Sequence, residues 1–118
     1  MVEVINKEVN HEIEDGFIEP THPGETLKEL VADYDLTQTK LAMMMRVPLV
    51  AVNEICNGKR AISPEMAVRL GEVFGELGIT SSFWSGIQKD YDTAKARISL
   101  KDELSKIERL EYKESANL

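Results

Sequence analysis

The strongest constraint in this 118-residue chain is a pair of short helical segments separated by a three-residue break. Thr37 is typical of a helix N-cap and precedes a first helix predicted over residues 38–45. The sequence Arg46-Val47-Pro48 interrupts the helical pattern, and its proline favours a second helix from residue 48 to about residue 57. Asn57-Gly58 tolerates the left-handed backbone that ends many helices. The segment is therefore predicted to be a helix-turn-helix.

Small and apolar residues fall where two such helices must touch. Ala42 supplies the small residue at the crossing, with Leu41 and Val47 beside it on the core side, and Val52 and Ile55 anchor the second helix on the first. The rest of the second helix is predicted to face outward, toward a DNA major groove, through Pro48, Leu49, Val50, Asn53, Glu54 and Asn57.

The charge distribution permits a nucleic-acid partner despite a net charge of −7. Residues 1–20 contain one lysine and six acids, which gives −5, whereas residues 36–71 contain five bases and two acids, which gives +3. Binding to phosphate depends on the field within about 8–10 Å of the contact. For DNA binding, the charge of +3 on residues 36–71 therefore matters more than the net charge of the whole chain.

The remaining apolar periodicity is also helical. A helix with Leu27 and Val31 on its buried stripe follows the turn at residues 20–24, Ser63-Pro64 starts a further helix, and Ser81 or Ser82 caps another. Residues 91–112 continue with mostly helical spacing. We expect an all-α fold of five or six short helices, divided into an acidic tail (1–20), a helix-turn-helix DNA-binding domain (21–92) and a C-terminal helical extension (93–118).

Several functional classes are not expected. Cys56 is the single cysteine, and neither His11 nor His22 has a second ligand at metal-binding spacing. No catalytic signature is present, so we expect neither an enzyme nor a cofactor. No stretch approaches the roughly 18 apolar residues of a membrane span, and the N-terminus lacks a signal-peptide pattern, so a cytoplasmic location is expected.

An ordered set of motifs identifies a family resemblance. The motifs are His22-Pro23-Gly24-Glu25, Thr37-Gln38-x-x-Leu41-Ala42, Val47-Pro48, Asn57-Gly58-Lys59-Arg60-Ala61-Ile62-Ser63-Pro64, Met66-Ala67-x-Arg69-Leu70 and Phe83-Trp84-x-x-x-Gln88 followed by Tyr91-Asp92. In this order and spacing they resemble the HigA/VapI antitoxin branch of the phage-repressor-like helix-turn-helix proteins. The resemblance covers roughly residues 20–95. It implies a lambda-repressor-like fold, a dimeric repressor of its own promoter and a partner toxin, usually an mRNA-cleaving ribonuclease.

The chain departs from this pattern at two places. Many relatives have glycine at the turn position that Arg46 occupies, and a left-handed arginine there would cost about 1 kcal/mol. Relatives often carry polar or basic residues after Val-Pro, whereas Leu49-Val50-Ala51 is apolar here. These side chains either contact thymine methyl groups or have been diverted from the groove to another use.

The outward residues suggest specific roles on double-stranded DNA. The Asn53 amide can pair with adenine through two hydrogen bonds, and Leu49 and Val50 are the candidates for thymine methyl contacts. Gln38 is placed to reach a phosphate or to orient a neighbour, as in similar proteins. The other expected backbone contacts are Lys40, Arg46, Asn57, Lys59 and Arg60.

A dimer interface is expected in the helices after Ser82, through Phe83, Trp84 and Ile87, because aromatic residues are favoured in interfaces. Such a homodimer would place two recognition helices about 34 Å apart. The acidic residues 1–19 are a candidate surface for masking a basic toxin. Two alternatives stay open: a stand-alone phage-type regulator without a toxin, and a protein–protein adaptor that has lost DNA binding.

Overall fold

The computed structural model describes residues 19–113. Six α-helices follow one another within that range, with one 3₁₀ turn at Gly75–Leu77 and no strand. The helices are α1 (Pro23–Asp33), α2 (Gln38–Met45), α3 (Leu49–Cys56), α4 (Pro64–Phe74), α5 (Ser81–Ser99) and α6 (Lys101–Leu104). The predicted all-α fold is confirmed. The predicted tail over residues 1–20 lies almost entirely outside the described residues.

Side-chain caps mark the start of three of the six helices, α1, α2 and α4. The Thr37 hydroxyl accepts a hydrogen bond from the Lys40 amide at 3.0 Å, and the Ser63 hydroxyl accepts one from the Met66 amide at 3.2 Å. Helix α5 differs from the expectation, because its N-cap is Thr80 rather than Ser81 or Ser82, and the Thr80 side chain makes no capping bond. The helix gains its position from packing instead of from its cap.

Helix α5 is longer than the sequence pattern predicts. It is one helix of 19 residues, and it passes through the expected boundary between residues 92 and 93 without a break. Neither proline nor glycine occurs between Gln88 and Ser99 to end it. The extension thus begins as a direct continuation of the helix that packs on the domain.

The core lies where α1–α5 meet. Leu27, Leu41, Val52, Ile55 and Leu70 are fully buried, and each contributes about 1.5–3 kcal/mol of hydrophobic stabilisation. Trp84 lies within this core between Phe74 and Phe83. Its indole N–H has no acceptor among the described residues, so packing alone holds the ring.

Gly24 allows α1 to approach α3 unusually closely. A Cβ atom at this position would overlap the backbone carbonyl of Ile55, near the C-terminal end of α3. No residue other than glycine fits this backbone contact. The first turn of α1 therefore supports the last turn of α3 from behind.

His22 joins three parts of the fold. Its Nδ1 accepts a hydrogen bond from the Gly24 amide at 2.8 Å, which caps α1. Its ring meets the Tyr91 ring of α5 edge-on, with a centroid distance of 4.9 Å, and lies beside Gly58 in the turn after α3. Burial lowers the pKa of His22 below its ordinary value of 6.5, against the opposing influence of the Asp92 and Glu25 carboxylates.

This arrangement makes the stability dependent on pH. The unfolded chain takes up a proton at His22 more readily than the folded chain does. The contribution of His22 to the free energy of unfolding is therefore present above the unfolded pKa of about 6.5 and is lost as the pH falls through the lower pKa of the folded state. We expect the urea midpoint to be lower at pH 5.5 than at pH 7.5. His22→Asn is the control, because Asn can cap α1 without titrating in this range. A midpoint equally dependent on pH in both proteins would contradict this role.

Candidate nucleic-acid interface

The turn between α2 and α3 is fixed by backbone bonds and by one long-range contact. Arg46 adopts the left-handed conformation, with φ 63° and ψ 46°, and the Val47 amide donates to the Ala42 carbonyl at 3.0 Å. The left-handed backbone that many relatives form with glycine is thus retained here by an arginine, at a cost of about 1 kcal/mol. Arg69 of α4 donates to the Met45 carbonyl at 2.8 Å and so holds the C-terminal end of α2. Sequence reasoning assigned Arg69 no role, because its partner lies 24 residues away in the chain.

Helix α3 separates a buried face from an exposed one. Val52 and Ile55 have no exposed surface and clamp α3 against the core, whereas Leu49 and Val50 are 40% and 55% exposed. Ala51 is buried, so only two of the three consecutive apolar residues face outward.

The polar candidates on and beside this face are accessible as well. Asn53 is half-buried on α3, and Asn57 is exposed at its C-cap. Gln38 is half-buried in the first turn of α2. The outward face of α3 thus combines the Asn53 amide and two apolar side chains, which are suited to the edges of A·T base pairs, with the Glu54 carboxylate, which Arg60 binds.

Within residues 19–113, two ion pairs engage two of the five basic side chains of residues 36–71. Arg60 binds Glu54 of α3 with its Nε and Nη2 atoms, at 2.8 and 2.6 Å from one carboxylate oxygen. Arg69 pairs with Glu65 at 3.0 Å. The net +3 of residues 36–71 therefore resides on three exposed side chains, Lys40, Arg46 and Lys59.

A buried glutamine fixes the turn that carries Lys59 and Arg60. Gln88 of α5 is almost fully buried, and its Oε1 accepts a hydrogen bond from the Ile62 amide at 2.7 Å. Its Nε2 donates to Asp92 at 3.0 Å. The turn after α3 is thereby tied to α5. Gln88 belongs to the motif Phe83-Trp84-x-x-x-Gln88, but the sequence carries no local signal for its partner 26 residues away.

The expected dimer residues differ in accessibility. Phe83 is 40% exposed and packs edge-on against Trp84, at a centroid distance of 5.2 Å. Ile87 is half-buried against the core. Trp84 has no exposed surface. The expectation for Trp84 is corrected, since a side chain enclosed by its own protomer supports Phe83 from behind and cannot itself contact a second copy.

Cys56 is a free, buried cysteine at the end of α3. Burial raises the pKa of the Cys56 thiol, which keeps it protonated and unreactive.

Within residues 19–113, no helix is both long and apolar enough to span a bilayer. The same range contains no group of three or more potential metal ligands.

Comparison with known proteins places this geometry in a family. The helix-turn-helix family pattern matches residues 27–80, which include α2 and α3. Virulence-associated protein A of Dichelobacter nodosus is 36% identical over 89 residues, which cover 75% of this chain and 85% of that protein.

Solved structures give the same result. Pseudomonas aeruginosa antitoxin HigA with the higBA promoter superimposes with a TM-score of 0.71 and 34% identity, covering 78% of this chain and 99% of that one. PA4674 of the same organism, in complex with its operator DNA, gives a TM-score of 0.72 and 34% identity, covering 79% and 97%. The protein therefore belongs to the helix-turn-helix family, a family of DNA-binding regulators rather than enzymes, and HigA-type antitoxins are among its structural neighbours.

Proposed function

We propose that this protein is the antitoxin of a toxin–antitoxin pair, which represses its own operon as a homodimer and neutralises a ribonuclease toxin. The observation that carries the proposal is the match to antitoxin HigA with its promoter, which covers 99% of that chain. Helix α3 agrees with it, since its outward face is accessible. Lys40 on α2 and Arg46 and Lys59 in the turns that flank α3 are exposed, and none of them has an ion pair within residues 19–113.

Each residue on this surface has a distinct proposed role. Asn53 reads adenine in the major groove, and Leu49 and Val50 contact thymine methyl groups. Phosphate contacts position α3 without reading sequence, and they come from Gln38, Lys40, Arg46, Asn57, Lys59 and Arg60.

The dimer is proposed to form along α5 and the residues that follow it. Phe83 and Leu100 are exposed apolar side chains on this part of the chain, and α5 continues well beyond its buried contact at Gln88. A two-fold axis here would present two copies of α3 to successive major grooves, about 34 Å apart. The helix-turn-helix domain over residues 21–92 would then bind DNA, and the extension over residues 93–118 would contribute to the pairing.

Co-expression with the protein encoded by the neighbouring reading frame tests the antitoxin assignment. We expect that protein alone to arrest growth, and the pair to restore growth and to purify as one complex. If the neighbouring product is harmless and does not copurify, the protein is a stand-alone regulator. Salt-insensitive or absent binding to its own upstream DNA would indicate a protein–protein adaptor instead.

The ion pair between Arg60 and Glu54 predicts unequal effects of two neighbouring substitutions. Lys59→Ala should weaken binding to all DNA and lower the slope of log K against log salt by about 0.9, the value for one phosphate contact. Arg60→Ala should lower the slope less, because Glu54 already offsets its charge. Fluorescence anisotropy at several salt concentrations measures both slopes. Lys106→Ala, which removes a charge paired with Glu103, is the control and should leave the slope unchanged.

A further inference from the structure

An apolar groove lies where α1, α2 and α4 come together, away from the exposed face of α3. It has a volume of about 320 Å³. Its lining consists of Tyr34, Leu36, Met44, Val73, Phe74, Glu76 and Leu77, and includes no residue of α3 or of the turn that follows it.

The walls of the groove are large side chains that remain exposed. Tyr34, Met44 and Leu77 are each about half exposed, at 52%, 45% and 47%. Exposed apolar side chains grouped around one groove provide surface for the apolar side chains of a partner. Tyrosine and methionine are both enriched at interfaces, and methionine adapts its shape to different partners.

Four carboxylates either line the groove or adjoin one of its lining residues in the chain. Asp33 ends α1 and Glu72 lies in the last turn of α4, where the helix dipole disfavours negative charge and where neither helix has a basic residue. Asp35 and Glu76 add two further carboxylates beside Tyr34 and Leu77. No lysine or arginine lines the groove. Lys40 lies one turn before Met44 in α2, and Arg69 of α4 is paired with Glu65.

Two helix ends carry acidic residues that the helix dipole disfavours, and an apolar groove lies beside them. A basic partner would account for both features. DNA does not fit, because its phosphates would meet these carboxylates. A basic amphipathic helix fits both features, since its apolar side chains would enter the groove while its lysine or arginine side chains would meet the acidic rim.

We infer that this groove is a docking surface for a basic amphipathic helix of a partner protein, and that it operates separately from the DNA-binding face. The identification of this partner with the toxin rests on the proposed function. The docking surface itself does not.

The first test uses a synthetic helix of leucine and lysine, with leucines spaced to form one face, and the full chain labelled at its methionine methyl groups. Met44 lines the groove, whereas the adjacent Met43 is 67% exposed and lies outside it. We expect saturable NMR shifts at Met44 and little change at Met43. A leucine and glutamate helix should produce no shift at Met44. Equal shifts at both methyl groups, or none at Met44, would overturn the inference.

A matched pair of substitutions separates docking from general attraction to an acidic protein. Leu77→Ser removes one wall of the groove, and Val68→Ser alters an apolar side chain of similar exposure, 57%, on α4 outside the groove lining. Leu77→Ser should weaken peptide binding about tenfold, and Val68→Ser should leave it unchanged. Equal effects would contradict a site at this groove.

DNA binding measured without peptide, in the parent and in Leu77→Ser, distinguishes failure of this inference from failure of the proposed function. The two ligands are titrated separately because the lysine peptide would itself bind duplex DNA. Because the two surfaces share no residue, Leu77→Ser should leave the affinity for DNA unchanged. Peptide binding without DNA binding would contradict the proposed repressor function but not the docking surface. DNA binding without peptide binding would contradict the docking surface but not the repressor function. If the toxin is the partner, Leu77→Ser should also reduce neutralisation in the co-expression assay.

Discussion

Gly24→Ala is expected to destabilise the fold by about 3 kcal/mol, the upper part of the range for overpacking. The added methyl group would overlap the Ile55 carbonyl, a backbone atom that cannot move aside as a flexible side chain can. To relieve the overlap, α1 must shift away from α3 and give up part of the contact between them. Urea unfolding followed by circular dichroism measures the loss.

Gly86→Ala provides the matched control. Gly86 lies within α5, and a Cβ atom there would have no neighbour within 4 Å. This substitution should therefore stabilise the protein by about 0.5–1 kcal/mol, because alanine favours the helix. Equal stabilities of the two variants would show that the close approach of α1 and α3 is not needed. Because α1 supports α3, Gly24→Ala should also weaken DNA binding at temperatures where the variant is still folded.

Gln88→Leu is the second substitution with a large expected effect. It leaves the buried Ile62 amide without an acceptor, which costs about 1–3 kcal/mol even though leucine fills a similar volume. Urea unfolding should show this loss. Hydrogen exchange at the Ile62 amide should accelerate by more than the loss of global stability requires, since the bond that protects it is gone.

The control for this variant removes a charge but keeps the hydrogen bond. Asp92→Asn retains an oxygen that can accept from Gln88 Nε2, so it should change the stability much less than Gln88→Leu does. A Gln88→Leu protein as stable as the parent would mean that water replaces the glutamine at Ile62. The turn carrying Lys59 would then not depend on α5 for its position.

These two contacts and the Arg69 bond show how α3 is held. Gly24 lets α1 pack behind its C-terminal end, Gln88 fixes the turn that follows it, and Arg69 holds the end of α2 that precedes it. None of these three residues lies on the outward face of α3. The supports come from α1, α4 and α5, so the recognition helix is oriented by the whole domain.

The features predicted from sequence are those that depend on neighbouring residues. The Thr37 and Ser63 caps and the buried pair Val52 and Ile55 follow from local propensity and helical spacing, and all are present. The helix-turn-helix itself is recognisable for the same reason.

The features that the sequence did not predict depend on tertiary contacts. Gln88 and Arg69 bind groups far away in the chain, and Arg60 turns back to Glu54 instead of standing free. Tryptophan is enriched at interfaces, yet Trp84 is enclosed in the core by α4 and α5. Helical periodicity predicts that such an apolar side chain is covered, but it does not show whether the core of the same chain or a second copy covers it.

The central claim is that the outward face of α3 binds DNA, and a pair of valine substitutions tests it most directly. Val50 on α3 and Val68 on α4 are almost equally exposed, at 55% and 57%, and Val68 lies on a solvent-facing side with Glu65 and Glu72. Glutamate at either position should leave the fold intact. Anisotropy with the protein's own upstream DNA should show at least about hundredfold weaker binding for Val50→Glu, close to 2.8 kcal/mol, and unchanged binding for Val68→Glu. Equal affinity of the two variants for DNA would contradict the claim.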